Sequence, residues 1–271
     1  MTTNTTQQTP ATEIKWAELL NKALTEPGTI NAAYSAFHNY SVGNQMAAMF
    51  QCLARGITPG PLATFPGWQD KGRCVKKGEK AVRLCMPITC KRKDEKADGE
   101  SEEHVFTRFT WKPRWFVLSQ TQGDDYTPEA TIPTWDRARA LTTLGVTEET
   151  FKHTNGNVQG YAHDKAIAIS PLAALPVKTT FHELAHVVLG HTTEGQLSDS
   201  DVTPRDEREM EAEGAAYILG QLLGLPGAAE SRGYLQHWAH GKTFSERMAA
   251  RIFSAANKIL VAGQEPKALN T

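Results

Sequence analysis

The chain has 271 residues, 40% of them hydrophobic, with a mean hydropathy of -0.43 and a net charge of -1. That length suits one large domain or two small ones, and no apolar run approaches the ~18 residues that a membrane-spanning helix needs. The polar N-terminus, Met1 to Pro10, lacks the basic-then-apolar pattern of a secretory signal, so a cytoplasmic protein with no membrane partner is expected, its residues 1–12 disordered. The four cysteines, Cys52, Cys74, Cys85 and Cys90, contain no C-x-x-C pair and read as reduced thiols.

Glu13 to Leu24 places Ile14, Trp16, Ala17, Leu20 and Leu24 at near-helical spacing. A second helix is predicted from Ser41, as N-cap, to Arg55, with Gly56 ending it. From Thr58 the texture turns to short apolar runs between glycines and prolines, which reads as strands: Ala81–Met86, Val105–Trp111 and Trp115–Ser119. The charged stretch Lys91–His104 between them reads as an exposed hairpin loop. A linker from Thr121 to Pro128 sets a domain boundary near residue 128. Beyond it come a helix at Trp135–Leu144, strands at Gly160–Ala162 and Ala166–Ile169, and a long helical region opened by Pro171. A helix from Thr203 and Pro204 to about Leu223 follows, and then one from a Thr243/Glu246 capping box to about Val261.

Phe181-His182-Glu183-Leu184-Ala185-His186 carries the chemistry. Residues four apart share a helix face, so His182 and His186 can offer two imidazole nitrogens to one cation, zinc by preference or another divalent metal such as manganese. Glu183 stands beside them as a catalytic base for a water at the open coordination position. A third ligand is needed. Glu209 and Glu213 are one turn apart on a later helix, one as ligand and the other orienting a histidine, with the order of the two open. Gly214, Ala215 and Ala216 are small enough for that helix to pack closely on the motif helix. His191 is one residue short of the extended three-histidine spacing and reads as a helix-end cap. Tyr217, Tyr234, His237 and His240 are candidates for stabilising an oxyanion, and the 160–169 strand can align a peptide by edge pairing.

Residues 1–128 hold 16 Lys and Arg against 13 Asp and Glu, and within 55–93 the balance is 10 to 2. Lys71, Arg73, Lys76, Lys77 and Lys80 sit among glycines that can follow a phosphate backbone, with Trp68 and Tyr40 as surfaces for unpaired bases. Phe37, Phe65, Trp111 and Trp115 are further aromatic candidates.

Phe37-His38-Asn39-Tyr40-Ser41-Val42-Gly43-Asn44-Gln45, Phe65-Pro66-Gly67-Trp68 and the Gly72–Lys80 run resemble the N-terminal domain of ArdC-type antirestriction proteins. The second half, with His182 to His186 and Glu209 to Ala216, is similar to the zincin-like domain of that family. The resemblance implies a plasmid-encoded protein that binds single-stranded DNA and protects incoming conjugative DNA from host restriction, with a gluzincin-like metal site. The expected fold is α+β in two domains: a mixed α/β single-stranded DNA-binding module at 13–128 and a zincin-like metallopeptidase domain at 129–271. A host restriction or DNA-associated protein is the expected target of the metal site. The alternatives are a non-enzymatic DNA-binding protector with a structural metal, and a cytosolic metallopeptidase with a protein-binding adaptor domain.

Overall fold

The computed structural model describes residues 13–95, 101–128, 132–154, 157–193, 203–227, 231–233, 235 and 244–266. The expected disorder of residues 1–12, and Tyr234, His237, His240 and Thr243, lie outside them. Three helices open the chain: α1 (Trp16–Thr25), α2 (Thr29–Phe37) and α3 (Val42–Arg55). The sequence reading passes over α2, although its buried Ile30, Ala33, Tyr34 and Phe37 repeat at three- and four-residue steps. Gly56, at φ 63°, ends α3 in the left-handed conformation that glycine adopts without strain. Ser41 stands at the N-cap position, but its side chain makes no capping bond. The first amide of α3, Val42 N–H, is accepted instead by Asn257 Oδ1 at 3.1 Å, from the far end of the chain.

The strand-rich stretch forms β1 (Leu62–Thr64), a short α4 (Phe65–Gln69), β2 (Arg73–Val75), β3 (Val82–Glu95), β4 (Ser101–Val117) and β5 (Thr121–Gly123). One antiparallel sheet has the order β1-β4-β3, and β2 pairs with β5. Lys91–His104 departs from the expected loop. Pairing runs out to Glu95 opposite Ser101, so most of that charged segment is two-stranded ribbon. A ribbon that outruns the rest of its sheet has, among the described residues, no third strand or core to face and needs no apolar alternation, which is why its sequence does not announce a strand.

The second half begins with α5 (Arg137–Leu144), capped by Asp136, whose carboxylate accepts from Arg139 N–H at 2.6 Å. A small sheet of β6 (Thr147–Glu148), β7 (Gly160–His163) and β8 (Ala166–Ile169) follows in the order β6-β8-β7, leaving β7 at its edge. Helix α6 (Pro176–Leu189) starts at Pro176, five residues later than the expected Pro171, and lies on β7 and β8. α7 (Arg205–Leu222) and α8 (Glu246–Gly263) complete the fold. α8 is capped by the Ser245 side chain, which accepts from Met248 N–H at 3.1 Å. Glu246 faces another helix: its carboxylate accepts from Trp16 N–H (2.8 Å) and Ala17 N–H (3.1 Å), supplying the cap that α1 lacks locally.

The two halves share one core. Buried side chains run without a break from Leu20, Phe37 and Met46 through Val82 and Leu84 to Phe181, Met210, Ile218, Ile252 and Ile259. α8 packs on α1 and α3 as well as on α5, α6 and α7. Trp16 lies between Trp111 at the base of the ribbon and Phe253 of α8, with ring centroids 4.8 and 5.8 Å away. Residues 13–128 and 129–271 are therefore two lobes on a common interior. Gly214 belongs to this packing too. A β-carbon there would meet the Ile252 side chain at 3.0 Å, so Gly214 itself admits α8, while α7 also packs on the motif helix as expected. No described helix is long and apolar enough to cross a membrane.

Candidate metal centre

Pro176 sits in the first turn of α6, where its missing N–H costs nothing, and Gly190 ends the helix at φ 77°. Phe181, Leu184 and Ala185 bury one face, and Phe181 meets Trp135 edge-on at 4.8 Å. That anchoring fixes the rotation of the helix, so His182 and His186 emerge together into the cleft. Their Nε2 atoms are 3.1 Å apart, and Glu209 Oε2 of α7 lies 3.4 Å from the first and 3.7 Å from the second. Tetrahedral ligand atoms held by bonds of ~2.0–2.1 Å lie ~3.3 Å from one another. The three side chains thus have the separations and the donor types of a zinc-sized site.

The geometry sorts the two glutamates. Glu209 faces both Nε2 atoms, whereas Glu213 Oε2 lies 3.2 Å from His182 Nδ1, on the outer side of that ring, and its Oε1 receives Lys178 Nζ at 2.9 Å. Burial opposes charge on His182, yet the hydrogen bonds to Glu209 and Glu213 outweigh it and lift its pKa to about 9. Burial likewise opposes charge on Glu213, but His182 and Lys178 hold it down to about 2. Hydrogen bonds from His182 and His186 lower Glu209 strongly. Glu183 responds the other way. It is only 6% exposed, and burial pushes its carboxyl above the usual range against the pull of the two histidines.

The edge strand β7 runs past the site. A β-carbon on Gly160 would stand 3.0 Å from Glu183 Oε1, so the absence of a side chain is what lets strand and helix approach. Two hollows of about 510 and 400 Å³ adjoin the cluster, both lined by Gly160, His182 and Glu183. Tyr217 is 3% exposed and belongs to the core.

His191, read as a helix-end cap, does something else: its Nδ1 lies 3.0 Å from His186 Nδ1 and its Nε2 lies 2.9 Å from Glu211 Oε2. Arg251 Nε of α8 donates to Glu211 Oε1 at 2.8 Å. Burial pushes His191 below its ordinary pKa, while His191 and Arg251 hold Glu211 low in spite of its burial. Sequence reasoning misses this chain. The only signal was Glu211 itself, a carboxylate in a helix whose residues Met210 to Gly220 are all buried.

The nucleic-acid candidates divide. Lys71, Lys76, Lys77 and Lys80 are exposed, although Lys76 Nζ donates to Ser119 O at 2.9 Å. Arg73 is turned inward, donating from Nε to Thr121 Oγ1 at 2.8 Å and also to the Asp124 carbonyl. Trp68 is 1% exposed with its indole N–H on Phe116 O at 2.8 Å, so it offers no stacking surface. Phe37 is buried as well. Tyr40 is half-buried and donates its hydroxyl to Leu62 O at 2.8 Å, and burial pushes its pKa to about 12. Tyr40 and Lys71 line a separate hollow of about 1090 Å³. The exposed aromatics are elsewhere: Phe109 (68%) and Phe106 (48%) on the ribbon, which no sequence candidate included, and Phe65.

Residues 6–114 match the family model described as the N-terminal domain of anti-restriction factor ArdC. The metal-free crystal structure of the antirestriction protein ArdC from plasmid R388 superposes with a TM-score of 0.50 at 20% identity, covering 92% of this chain and 94% of that one. The Mn(II)-bound crystal structure of the same R388 protein gives 0.48 at 17% identity, covering 94% and 99%. No curated protein matches the chain in sequence. The chain thus carries an ArdC-type N-terminal domain over residues 6–114 and shares the fold of the R388 protein over nine-tenths of its length.

Proposed function

We propose that this chain is an antirestriction protein that binds single-stranded DNA and carries a zincin-like metallopeptidase site, acting in the cytoplasm on DNA newly arrived by conjugation. The observation that carries the site is the convergence of His182, His186 and Glu209, with Glu183 buried beside them. Two imidazoles and one carboxylate suit zinc first and manganese as the alternative, and leave a position open toward the adjoining hollows. A divalent cation bound there would supply Lewis-acid polarisation of a peptide carbonyl and of a water. The protein's own residues do the rest. The edge of β7 offers backbone donors and acceptors to an extended peptide, and Glu183 takes the proton of the attacking water and delivers it to the departing amide nitrogen. Glu213 keeps His182 turned toward the ligand position.

For the DNA, support comes from the exposed Lys71, Lys77 and Lys80 and from the ribbon. Over residues 82–93 and 104–117 the ribbon strands carry seven Lys and Arg and no Asp or Glu, and they expose Phe106 and Phe109. Cations along a strand with open aromatic faces suit a phosphate backbone with unpaired bases. The target on which the peptidase site acts is, in this reading, a host restriction or DNA-associated protein.

Glu183→Gln tests the enzymatic half. It is expected to keep zinc at one equivalent by elemental analysis, to keep single-strand binding, and to lose peptide hydrolysis. Absence of metal from the wild-type protein would overturn the site. Full protection by Glu183→Gln in conjugation into a restricting host would instead favour the non-enzymatic protector.

A further inference from the structure

A histidine that gives Nε2 to a cation needs that nitrogen bare and the other one held, and the two histidines of this site are held differently. His182 is simple. Its Nδ1 faces a carboxylate oxygen of Glu213, an ionised carboxylate only accepts, and so Nδ1 keeps a ring hydrogen and Nε2 is the nitrogen left for a cation.

His186 has no such carboxylate. Its Nδ1 meets the Nδ1 of His191 at 3.0 Å, and two ring nitrogens at that distance share a single hydrogen. Which ring owns it is decided one step further out. His191 Nε2 lies 2.9 Å from Glu211 Oε2, and Glu211 Oε1 is taken by Arg251 Nε at 2.8 Å, while Arg251 Nη2 donates to Leu189 O at 3.0 Å. Arg251 Nη2 also faces His191 Nε2 but at 3.4 Å, farther than the carboxylate oxygen at 2.9 Å, which can only accept, so His191 carries its hydrogen on Nε2. Its Nδ1 is then an acceptor, His186 Nδ1 is the donor, and His186 Nε2 is left bare, 3.1 Å from His182 Nε2 and 3.7 Å from Glu209 Oε2. The opposite arrangement would put the hydrogen of His186 on Nε2, pointing into the ligand position.

We propose that His191 is a positioning residue: it passes the acceptor of Glu211, oriented by Arg251, through its own ring and so fixes His186 in the tautomer that binds a cation. The pair His191 and Glu211 is nearly sealed, with side chains 4% and 3% exposed, so water does not substitute for either partner. The inference rests on the metal site proposed above, and its readouts separate the two.

Nitrogen-resolved NMR of the histidine rings in the full-length, metal-free protein is expected to show His186 with hydrogen on Nδ1 and His191 with hydrogen on Nε2. His191→Phe keeps a ring and removes both nitrogens. It is expected to give His186 as a mixture of tautomers and to weaken zinc binding, measured by competition with a chromogenic chelator, by about 10–100-fold. His191→Gln, whose amide carries an acceptor and a donor, is expected to recover most of that loss, which a merely space-filling role would not. Hydrogen on Nε2 of His186 in the wild type overturns the proposal, as does zinc affinity of a folded His191→Phe within twofold of wild type. Should His191→Phe fail to fold, the wild-type tautomers and the Gln variant still decide it. A wild-type chain that takes up no zinc sinks the metal reading, while the tautomers remain readable and test the relay alone.

Discussion

A β-carbon placed on Gly160 would lie 2.7 Å from Thr179 Cγ2, closer than real contacts allow, and 3.0 Å from Glu183 Oε1, which is tight. Something must move, and both neighbours are on α6, the helix that carries the two histidines. Gly160→Ala is therefore expected to push β7 away from α6, costing about 1–3 kcal/mol as overpacking does. A thermal melt of the full chain checks it, and an unchanged melting temperature would mean that strand and helix slide apart freely. At this scale the sequence is most legible where chemistry is local. His182, Glu183 and His186 lie within five residues on one helical turn, and their geometry follows from the spacing alone. Glu209 and Glu213 were visible as a pair one turn apart, but which of them faces the cluster depends on how α7 crosses α6. His191 and Glu211 are 20 residues apart and joined only by folding, so nothing in their spacing announces the relay.

Among the elements, the ribbon and α4 exchange the roles that composition suggests. Trp68 looks like a stacking surface beside glycines and lysines, yet it is sealed under β4 with Tyr126 edge-on at 5.4 Å. Phe106 and Phe109 look like core in a strand, yet they face water because β3 and β4 outrun the rest of their sheet. Periodicity cannot make that distinction, since it does not say how far a strand extends beyond its neighbours. The two sites predict opposite phenotypes. Phe106→Ala with Phe109→Ala is expected to leave stability within about 0.5 kcal/mol and to weaken binding of a single-stranded oligonucleotide by about 1–3 kcal/mol per stacked base. Trp68→Ala is expected to cost about 3–5 kcal/mol of stability. Fluorescence anisotropy and chemical denaturation measure the two quantities, and unchanged DNA affinity in the double ribbon variant removes the ribbon from the interface. The helices were more legible than the strands: α1, α3, α5 and α7 lie close to their expected positions, because caps, glycine stops and three-to-four-residue steps are local signals.

For the whole molecule, a boundary drawn near residue 128 from composition separates sequence textures and not interiors. α8 closes both lobes, through Glu246 on the start of α1, Asn257 on the start of α3, and Ile252 and Phe253 in the core. The full chain is therefore expected to unfold in one cooperative transition, with tryptophan fluorescence and far-ultraviolet circular dichroism coinciding along a denaturant series. Two separated transitions would establish independent lobes. Residues 1–128 alone would lack Phe253, one of the two ring partners of Trp16, and the caps of two helices, so an isolated fragment is expected to lack a fully folded core.

That dependence on α8 also sets an order of events during synthesis. Roughly 190 residues separate the end of α3 from the start of α8. At about 5–20 residues per second a ribosome takes about 10–40 s to supply them. Throughout that interval α1 and α3 lack the helix that covers them, and His191 and Glu211, once made, still wait for Arg251. The nascent chain is therefore expected to depend on holding factors, and a product ended before α8 lacks the contact of Arg251 with Glu211 and the side chains that cap α1 and α3.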